Sequence, residues 1–167
     1  MSMKLVDLFA GCGGMSLGFQ NAGFNIVAAY DNWQPAIDIY RQNFNHPIHK
    51  RDLAVEDIVD ELKALAPDII IGGPPCQDFS IAGKRLGFNS QKSHLGSKLE
   101  TDEPSIESRG QLYMWMREVV TLTQPKLFIA ENVKGLTNLA DVKEVIEHDF
   151  ATAGNGGELV VPATVLN

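Results

Sequence analysis

The stretch DLFAGCGG, from Asp7 to Gly14, follows a short apolar run and precedes a segment with helical periodicity. A buried strand that ends in a glycine-rich turn before a helix favours a parallel α/β sheet. Glycines in such a turn let a ligand approach the backbone and leave the helix N-terminus free for a polar group. Because Ser16 stands at the third glycine position and no Lys-Ser or Lys-Thr pair follows, the pattern is neither a strict dinucleotide fingerprint nor a P-loop. It indicates a nucleotide site, with a plain tight turn as the alternative.

Outward from this turn, short apolar runs alternate with helix-period segments, which predicts a doubly wound, mostly parallel sheet. Strands are predicted at 3–9, 25–30, 68–72 and 126–130, with a brief extended piece at 47–49. Helices are predicted at 15–22, 35–44, 55–65, 111–123 and 141–151, and a last apolar run follows at 159–166. Because ligands bind at the carboxyl edge of such sheets, polar residues that follow strands become the candidates for a functional site.

The composition fits one globular domain over residues 1–167, with 44% hydrophobic and 21% charged residues. The 14 basic and 21 acidic residues give a net charge of −7, which excludes a generally basic nucleic-acid coat but leaves room for a local basic patch. Two cysteines provide no disulfide framework, and no apolar run suits a signal peptide or a membrane span. We expect a soluble, cytoplasmic protein.

The segment GGPPCQDFS, residues 72–80, presents a cysteine on a proline turn directly after the predicted strand 68–72. Structural cysteines are usually buried inside helices or strands, so this placement favours a nucleophilic role for Cys76 over a packing role. Cys12 lies inside the glycine turn, where a small filler residue is the expected role.

Three acidic residues also follow strands. Asp31 stands about 20 residues beyond the glycines, where such folds hold ribose hydroxyls. Asp52 could accept a hydrogen bond from an adenine amino group, or it could be the N-cap of the next helix. Glu131 ends the strand 126–130, where partial withdrawal from water would raise its pKa and let it donate a proton; a helix-capping or surface carboxylate is the alternative.

A long polar stretch without clear periodicity separates Gln77 from Gly110. Four basic residues lie between positions 84 and 98, and four acidic residues follow between 100 and 107. A connection of this length is typical of a functional loop or of a disordered segment, so its basic half could meet phosphate or could be solvated.

In that order, DLFAGCGG, Asp31, Asp52, GPPCQDFS, SRGQLY (108–113) and ENV (131–133) resemble the motifs of the cytosine-carbon-5 DNA methyltransferases. The resemblance implies a Rossmann-like methyltransferase fold, S-adenosylmethionine as cofactor, no metal, and a flipped cytosine of double-stranded DNA as substrate, with restriction–modification as the setting. The implied cofactor-binding residues are Phe9, Gly11, Cys12, Gly14, Asp31, Asn32, Trp33, Asp52, Leu53, Gly73, Pro75 and Leu112.

The same resemblance assigns the chemistry. It implies that Cys76 attacks carbon 6 of cytosine, that Glu131 holds ring nitrogen 3 and the exocyclic amine, and that Asn132 fixes the local backbone. The region 77–109 becomes a loop that closes over DNA. The implied DNA contacts are Ser80, Lys84, Arg85 and Arg109.

Two features depart from the family pattern. Asp31 replaces the usual glutamate, and the loop carries roughly fifteen to twenty extra residues before Ser108. The sequence also stops at Ala163–Asn167, where relatives continue into a Gln-x-Arg-x-Arg motif, a target recognition domain and a last cofactor motif. We therefore expect a catalytic portion that needs a complementary chain, associated with the nucleoid if it serves restriction–modification. The alternatives are an inactive binding or regulatory subunit, a related transfer-RNA methyltransferase and, more distantly, a nicotinamide dehydrogenase.

Overall fold

The computed structural model describes residues 2–53, 56–74, 113–134, 142–153 and 164–166. The predictions for Cys76, for the loop 77–109 and for most of the last apolar run lie outside these residues.

Five strands and five helices alternate along the described residues. The strands are β1 Lys4–Leu8, β2 Asn25–Asp31, β3 Ile48–Lys50, β4 Ile69–Gly72 and β5 Leu127–Ala130. The helices are α1 Gly14–Asn21, α2 Gln34–Asn43, α3 Glu56–Leu65, α4 Tyr113–Thr123 and α5 Val142–Ala151. Every predicted element in the described range is confirmed to within two residues at each end. The first strand ends before Phe9 because the backbone of that residue turns into the left-handed region at φ 56°.

The five strands form one parallel sheet in the order β3-β2-β1-β4-β5. The order reverses direction between β1 and β4, which is the switch point where doubly wound sheets bind ligands. Because all strands are parallel, their carboxyl ends share one edge. That edge carries the glycine turn after β1, Asp31 at the end of β2, Gly73 after β4 and Glu131 after β5.

The strand register separates the two faces of the sheet. Asp7 pairs with Ala29 and Ile71, so these three residues share the face on which α1 and α2 pack. Tyr30 pairs with Leu8 on the opposite face, and its hydroxyl donates a hydrogen bond to Glu61 Oε1 of α3 at 3.0 Å. Helices therefore cover both faces, as the doubly wound prediction requires.

The chain divides into two compact units. Unit 1, Met1–Pro74 with Leu122–Glu131, contains the whole sheet and α1 to α3. Unit 2, Pro75–Thr121 with Asn132–Asn167, contains most of α4 and all of α5. Within unit 2, the Tyr113 hydroxyl donates to Asp149 Oδ2 at 2.5 Å and Arg117 Nε donates to the Asp149 carbonyl at 2.8 Å. These bonds fasten α4 to α5.

Among the described residues, no helix combines the length and the apolar character needed to cross a bilayer.

Gly72 is expected to be intolerant of a side chain. A Cβ atom there would lie 2.7 Å from the backbone oxygen of Leu8, which cannot move without disturbing the β1–β4 pairing. We expect Gly72→Ala to lower the free energy of unfolding by about 1–3 kcal/mol, measured by urea denaturation.

The matched control is Gly18→Ala in α1, where nothing lies within 4 Å of the added methyl group. That variant should be stabilised by up to about 1 kcal/mol because alanine favours the helix. Equal effects at the two positions would contradict the steric argument.

Candidate functional site

The turn between β1 and α1 is built almost entirely from backbone. Three of its residues adopt left-handed φ values: 56° at Phe9, 54° at Gly11 and 92° at Gly13. The Ala10 N–H donates to the Tyr30 carbonyl at 3.0 Å, which fixes the start of the turn to β2. A Cβ atom on Gly11 or Gly14 would meet nothing within 4 Å. The turn therefore leaves open space where a ligand can approach its backbone.

Asp31 closes this turn from the neighbouring strand. Its Oδ2 accepts the Gly11 N–H at 2.8 Å, and its Oδ1 accepts the Trp33 N–H at 2.8 Å. A carboxylate has about four lone-pair positions, so both oxygens retain capacity for the hydroxyls of a ribose. Sequence analysis predicted an acidic ribose ligand here, but it did not predict that the same carboxylate holds the two turns together.

The side chains beside Asp31 suit a planar ring. Trp33 is 63% exposed although its backbone is anchored, and Asn32 is exposed too. After β3, Asp52 is half-buried and Leu53 is buried. The turns after β1, β2 and β3 thus bring an open backbone, a carboxylate, an aromatic face and a second acid to one edge of unit 1. These groups match the chemistry of a nucleoside.

Glu131 lies against the segment that follows β4. Its N–H donates to the Gly72 carbonyl at 2.8 Å, and a Cβ atom on Gly73 would lie 3.2 Å from Glu131 Oε2. A side chain at residue 73 would displace this carboxylate by a few tenths of an ångström. The sequence analysis expected Glu131 to be partly withdrawn from water, and this was wrong: the side chain is exposed, because the end of β5 is itself exposed.

Asn132 has a local role. Its Oδ1 accepts the Val133 N–H at 2.8 Å, a contact with the backbone that follows Glu131. The predicted role of Asn132 in fixing the local backbone stays a prediction.

Cys12 is exposed within the glycine turn, and its expected role as a small filler residue stays a prediction. The remaining site predictions fall outside the described residues, namely Pro75, Cys76, Ser80, Lys84, Arg85, Arg109 and Leu112. Within the described ranges, no group of three or more His, Cys, Asp or Glu side chains is arranged to hold a metal ion.

Sequence reasoning missed a buried polar layer beneath the glycine turn. Asp7 is 1% exposed; its Oδ2 accepts the Ser16 hydroxyl at 2.6 Å, and its Oδ1 has no hydrogen-bond partner among the described residues. Burial, together with a smaller effect of the negative charge of Asp31, raises the pKa of Asp7 to about 7, although the Ser16 hydrogen bonds oppose the shift. The signal available in the sequence was Ser16 itself, a polar residue at a position where other glycine turns have glycine.

Comparison with known proteins indicates which class of reaction the groups at the carboxyl edge of the sheet serve. A match to the C-5 cytosine-specific DNA methylase family extends over residues 3–161. The chain belongs to that family. The family implies the use of S-adenosylmethionine.

Two relatives illustrate the likeness. The Type II methyltransferase M.HgiGI of Herpetosiphon aurantiacus is 51% identical over 133 residues, which is 79% of this chain and 91% of that protein. M.HindV of Haemophilus influenzae is 43% identical over 155 residues, which is 92% of this chain but only 45% of that protein. The chain therefore spans most of one relative and less than half of the other.

The solved structure of a Spodoptera frugiperda DNMT2 mutant superposes with a TM-score of 0.63 at 24% identity, covering 91% of this chain and 41% of that one. This likeness concerns the fold alone. It confirms the predicted Rossmann-like α/β sheet of the methyltransferase type.

The raised pKa of Asp7 predicts a pH-dependent stability. Between about pH 4 and pH 7 the folded protein binds the Asp7 proton more tightly than the unfolded chain does, so its unfolding free energy falls as the pH rises through this window. The slope is at most about 1.4 kcal/mol per pH unit for one proton. Asp7→Asn cannot titrate and should lack this part of the slope. Urea denaturation of both proteins from pH 4.5 to 8 checks this, and parallel curves would contradict it.

Proposed function

We propose that this chain is the catalytic portion of a DNA (cytosine-5-)-methyltransferase that transfers a methyl group from S-adenosylmethionine to carbon 5 of a flipped cytosine, within a restriction–modification system. The family match supports the reaction class. The observation that carries the proposal is the contact of the Glu131 carboxylate with Gly73, at the edge that also holds the glycine turn. An acid for the base and an open turn for the cofactor thus follow β5 and β1, the two strands that flank β4 in the sheet.

The proposed nucleophile follows this contact closely in sequence. Cys76 comes three residues after Gly73, and three residues of extended chain span at most about 11 Å. This short separation in sequence supports the proposal that Cys76 acts on a base held by Glu131.

The cofactor would occupy the open side of the glycine turn. We assign its ribose to Asp31, its adenine to the surroundings of Trp33 and Asp52, and its methionine part to the glycine turn. The full proposed set is Phe9, Gly11, Cys12, Gly14, Asp31, Asn32, Trp33, Asp52, Leu53, Gly73, Pro75 and Leu112. When bound, the cofactor supplies an electrophilic methyl group.

The residues of the chain must make cytosine reactive. Its carbon 5 is a poor nucleophile, so the Cys76 thiolate adds to carbon 6, which breaks the aromatic ring and gives carbon 5 enamine character. After methylation, carbon 5 loses its proton as the bond between carbon 6 and sulfur breaks, and the thiolate returns. Glu131 holds nitrogen 3 and the exocyclic amine while charge builds on the ring.

The base must leave the duplex before this chemistry, at a cost of a few kcal/mol. We assign the closing of the site over DNA to the loop 77–109, with Ser80, Lys84, Arg85 and Arg109 contacting the backbone. Phosphate contacts of this kind position the duplex and carry no sequence information themselves.

We also propose a complementary polypeptide that carries the target recognition domain and the last cofactor motif. The exposed side chains of β5, the last strand in the sheet order, support its place of docking: Leu127 is 49% exposed and Ile129 is 38% exposed. Parallel strands are normally buried on both faces, so this strand is the natural acceptor for the partner. An enzyme of this kind works on the chromosome, which places it in the cytoplasm at the nucleoid.

The function is tested by trapping the covalent intermediate. The chain is incubated with S-adenosylmethionine and a duplex containing 5-fluorocytosine, alone and with the recognition polypeptide of a relative such as M.HindV, and its intact mass is measured. Fluorine at carbon 5 prevents the final loss of a proton, so a methylated DNA adduct should persist. Cys76→Ser should give no adduct and no methyl transfer while S-adenosylmethionine still binds.

Cys12→Ser removes the other thiol of the protein and is the matched control. It should still form the adduct at a saturating concentration of S-adenosylmethionine, since Cys12 is proposed to line the cofactor and not to attack the base. Loss of cofactor binding in Cys76→Ser would show that this cysteine is structural. An adduct formed on transfer RNA and not on the duplex would reassign the substrate.

Removal of the Asp31 carboxylate should weaken the binding of S-adenosylmethionine. Asp31→Ala loses the acceptor for the Gly11 N–H and the proposed ribose ligand, so the binding free energy of S-adenosylmethionine should fall by about 1–3 kcal/mol in isothermal titration calorimetry. Asp38→Ala removes an exposed carboxylate of α2 and should leave the affinity unchanged. An unchanged affinity in Asp31→Ala would move the ribose site elsewhere.

A further inference from the structure

Four side chains beneath the glycine turn form one continuous chain of short hydrogen bonds. The Ser16 hydroxyl oxygen lies 2.6 Å from Asp7 Oδ2 and 2.6 Å from the Tyr40 hydroxyl, and the Tyr40 hydroxyl lies 2.5 Å from His46 Nε2. Asp7 and Ser16 are fully buried, whereas His46 is half-buried. The chain therefore joins a buried carboxyl under β1 to an imidazole near the surface, in the connection between α2 and β3.

The same aromatic residues support the glycine turn. A Cβ atom on Gly13 would lie 2.3 Å from Phe44 Cε2 and 2.9 Å from Tyr40 Cδ2, so the turn rests directly on these rings. The Tyr40 and Phe44 rings pack with their centroids 4.4 Å apart. Ser16 belongs to the first turn of α1, immediately beyond the glycines. Tyr40 thus touches the turn with its ring and holds α1 through its hydroxyl.

We propose that Ser16 and Tyr40 are positioning residues for the glycine turn that holds the cofactor, and that the protonation state of Asp7 decides in which direction the four side chains donate their hydrogen bonds. The tautomer of His46 reports that direction.

The two possible directions of donation follow from the number of hydroxyl hydrogens that are available. Ser16 and Tyr40 each have one hydroxyl hydrogen, so each can donate to only one neighbour. With Asp7 ionised, Ser16 donates to Asp7 and Tyr40 donates to Ser16. The Tyr40 oxygen then accepts a hydrogen from His46, which therefore carries its proton on Nε2.

With Asp7 protonated on Oδ2, every bond reverses. Asp7 donates to Ser16, Ser16 donates to Tyr40, and Tyr40 donates to Nε2 of a His46 that carries its proton on Nδ1. One proton is taken up in total, by Asp7. His46 stays neutral and exchanges its Nε2 proton for one on Nδ1 through solvent.

The surrounding groups favour this switch near neutral pH. Burial, together with a smaller effect of Asp31 on β2, raises the pKa of Asp7 to about 7. Burial also raises the pKa of Tyr40, which keeps the phenol protonated, and lowers the pKa of His46, which keeps the imidazole neutral. The neighbours of Asp7 on α1 and β4, Ser16 and Ile71, carry no charge.

The test is nitrogen-15 NMR of the histidine rings between pH 5.5 and 8.5, without cofactor. In the wild type, the His46 shifts should change from mainly Nε2–H above pH 7 to a growing share of Nδ1–H below it. Tyr40→Phe keeps the ring against Gly13 but cuts the chain, so this step should disappear. Tyr30→Phe is the matched control, because it removes the hydroxyl of another buried tyrosine that does not belong to these hydrogen bonds. It should retain the step in the His46 shifts.

A His46 tautomer that does not change with pH in the wild type, or a step that survives in Tyr40→Phe, would overturn the proposal. Carbon-13 NMR of the Asp7 carboxyl in the wild type gives a second test that needs no variant. If Asp7 titrates at the pH of the His46 step, the proposal is supported, and if the two midpoints differ, it is wrong.

The positioning role rests on the proposed function and has its own readout. Tyr40→Phe should raise the dissociation constant of S-adenosylmethionine about 2- to 10-fold, the scale of one hydrogen bond, whereas Tyr30→Phe should leave it unchanged. An unchanged affinity in Tyr40→Phe would refute the positioning role. A wild-type protein that shows the His46 step but never binds S-adenosylmethionine would refute the proposed function. It would leave the proposed reversal of the hydrogen bonds from Asp7 to His46 intact.

Discussion

Two hydrogen bonds to one carboxylate hold the candidate site together. Asp31 accepts the N–H groups of Gly11 and Trp33, each at 2.8 Å, and so ties the turn after β1 to the turn after β2. A turn with three left-handed residues depends on support from its neighbours. The Tyr40 and Phe44 rings lie against Gly13, and the Asp31 carboxylate supplies the acceptor for the Gly11 N–H.

The support beneath the turn has a cost. A carboxyl that is 1% exposed and has one oxygen without a partner among the described residues destabilises the folded state once it is ionised. Asp7 nevertheless sits at the centre of a chain that fastens α1 to α2 through Ser16 and Tyr40. The buried Asp7 carboxyl lowers the stability of the folded state, and the same hydrogen bonds fix α1 and α2 relative to each other beside the glycine turn.

The other half of the site depends on a different constraint. A Cβ atom on Gly73 would lie 3.2 Å from Glu131 Oε2, so a side chain at residue 73 would displace the carboxylate by a few tenths of an ångström. The Glu131 N–H donates to the Gly72 carbonyl. The strand that carries it is the most exposed of the sheet. Exposure of Leu127 and Ile129 beside a proposed catalytic acid means that whatever covers β5 would also withdraw Glu131 from water.

The sequence by itself determined the alternation of strands and helices, the glycine turn, the acids at strand ends and the family, because periodicity and motif order are local properties of a chain. Only the tertiary structure decided that Asp31 binds both neighbouring turns, that Glu131 is exposed, and that Asp7, Ser16, Tyr40 and His46 form one chain. The contact between Ser16 and Tyr40 joins residues 24 positions apart, across elements whose spacing is fixed by sheet register and helix packing. No local pattern records such distances.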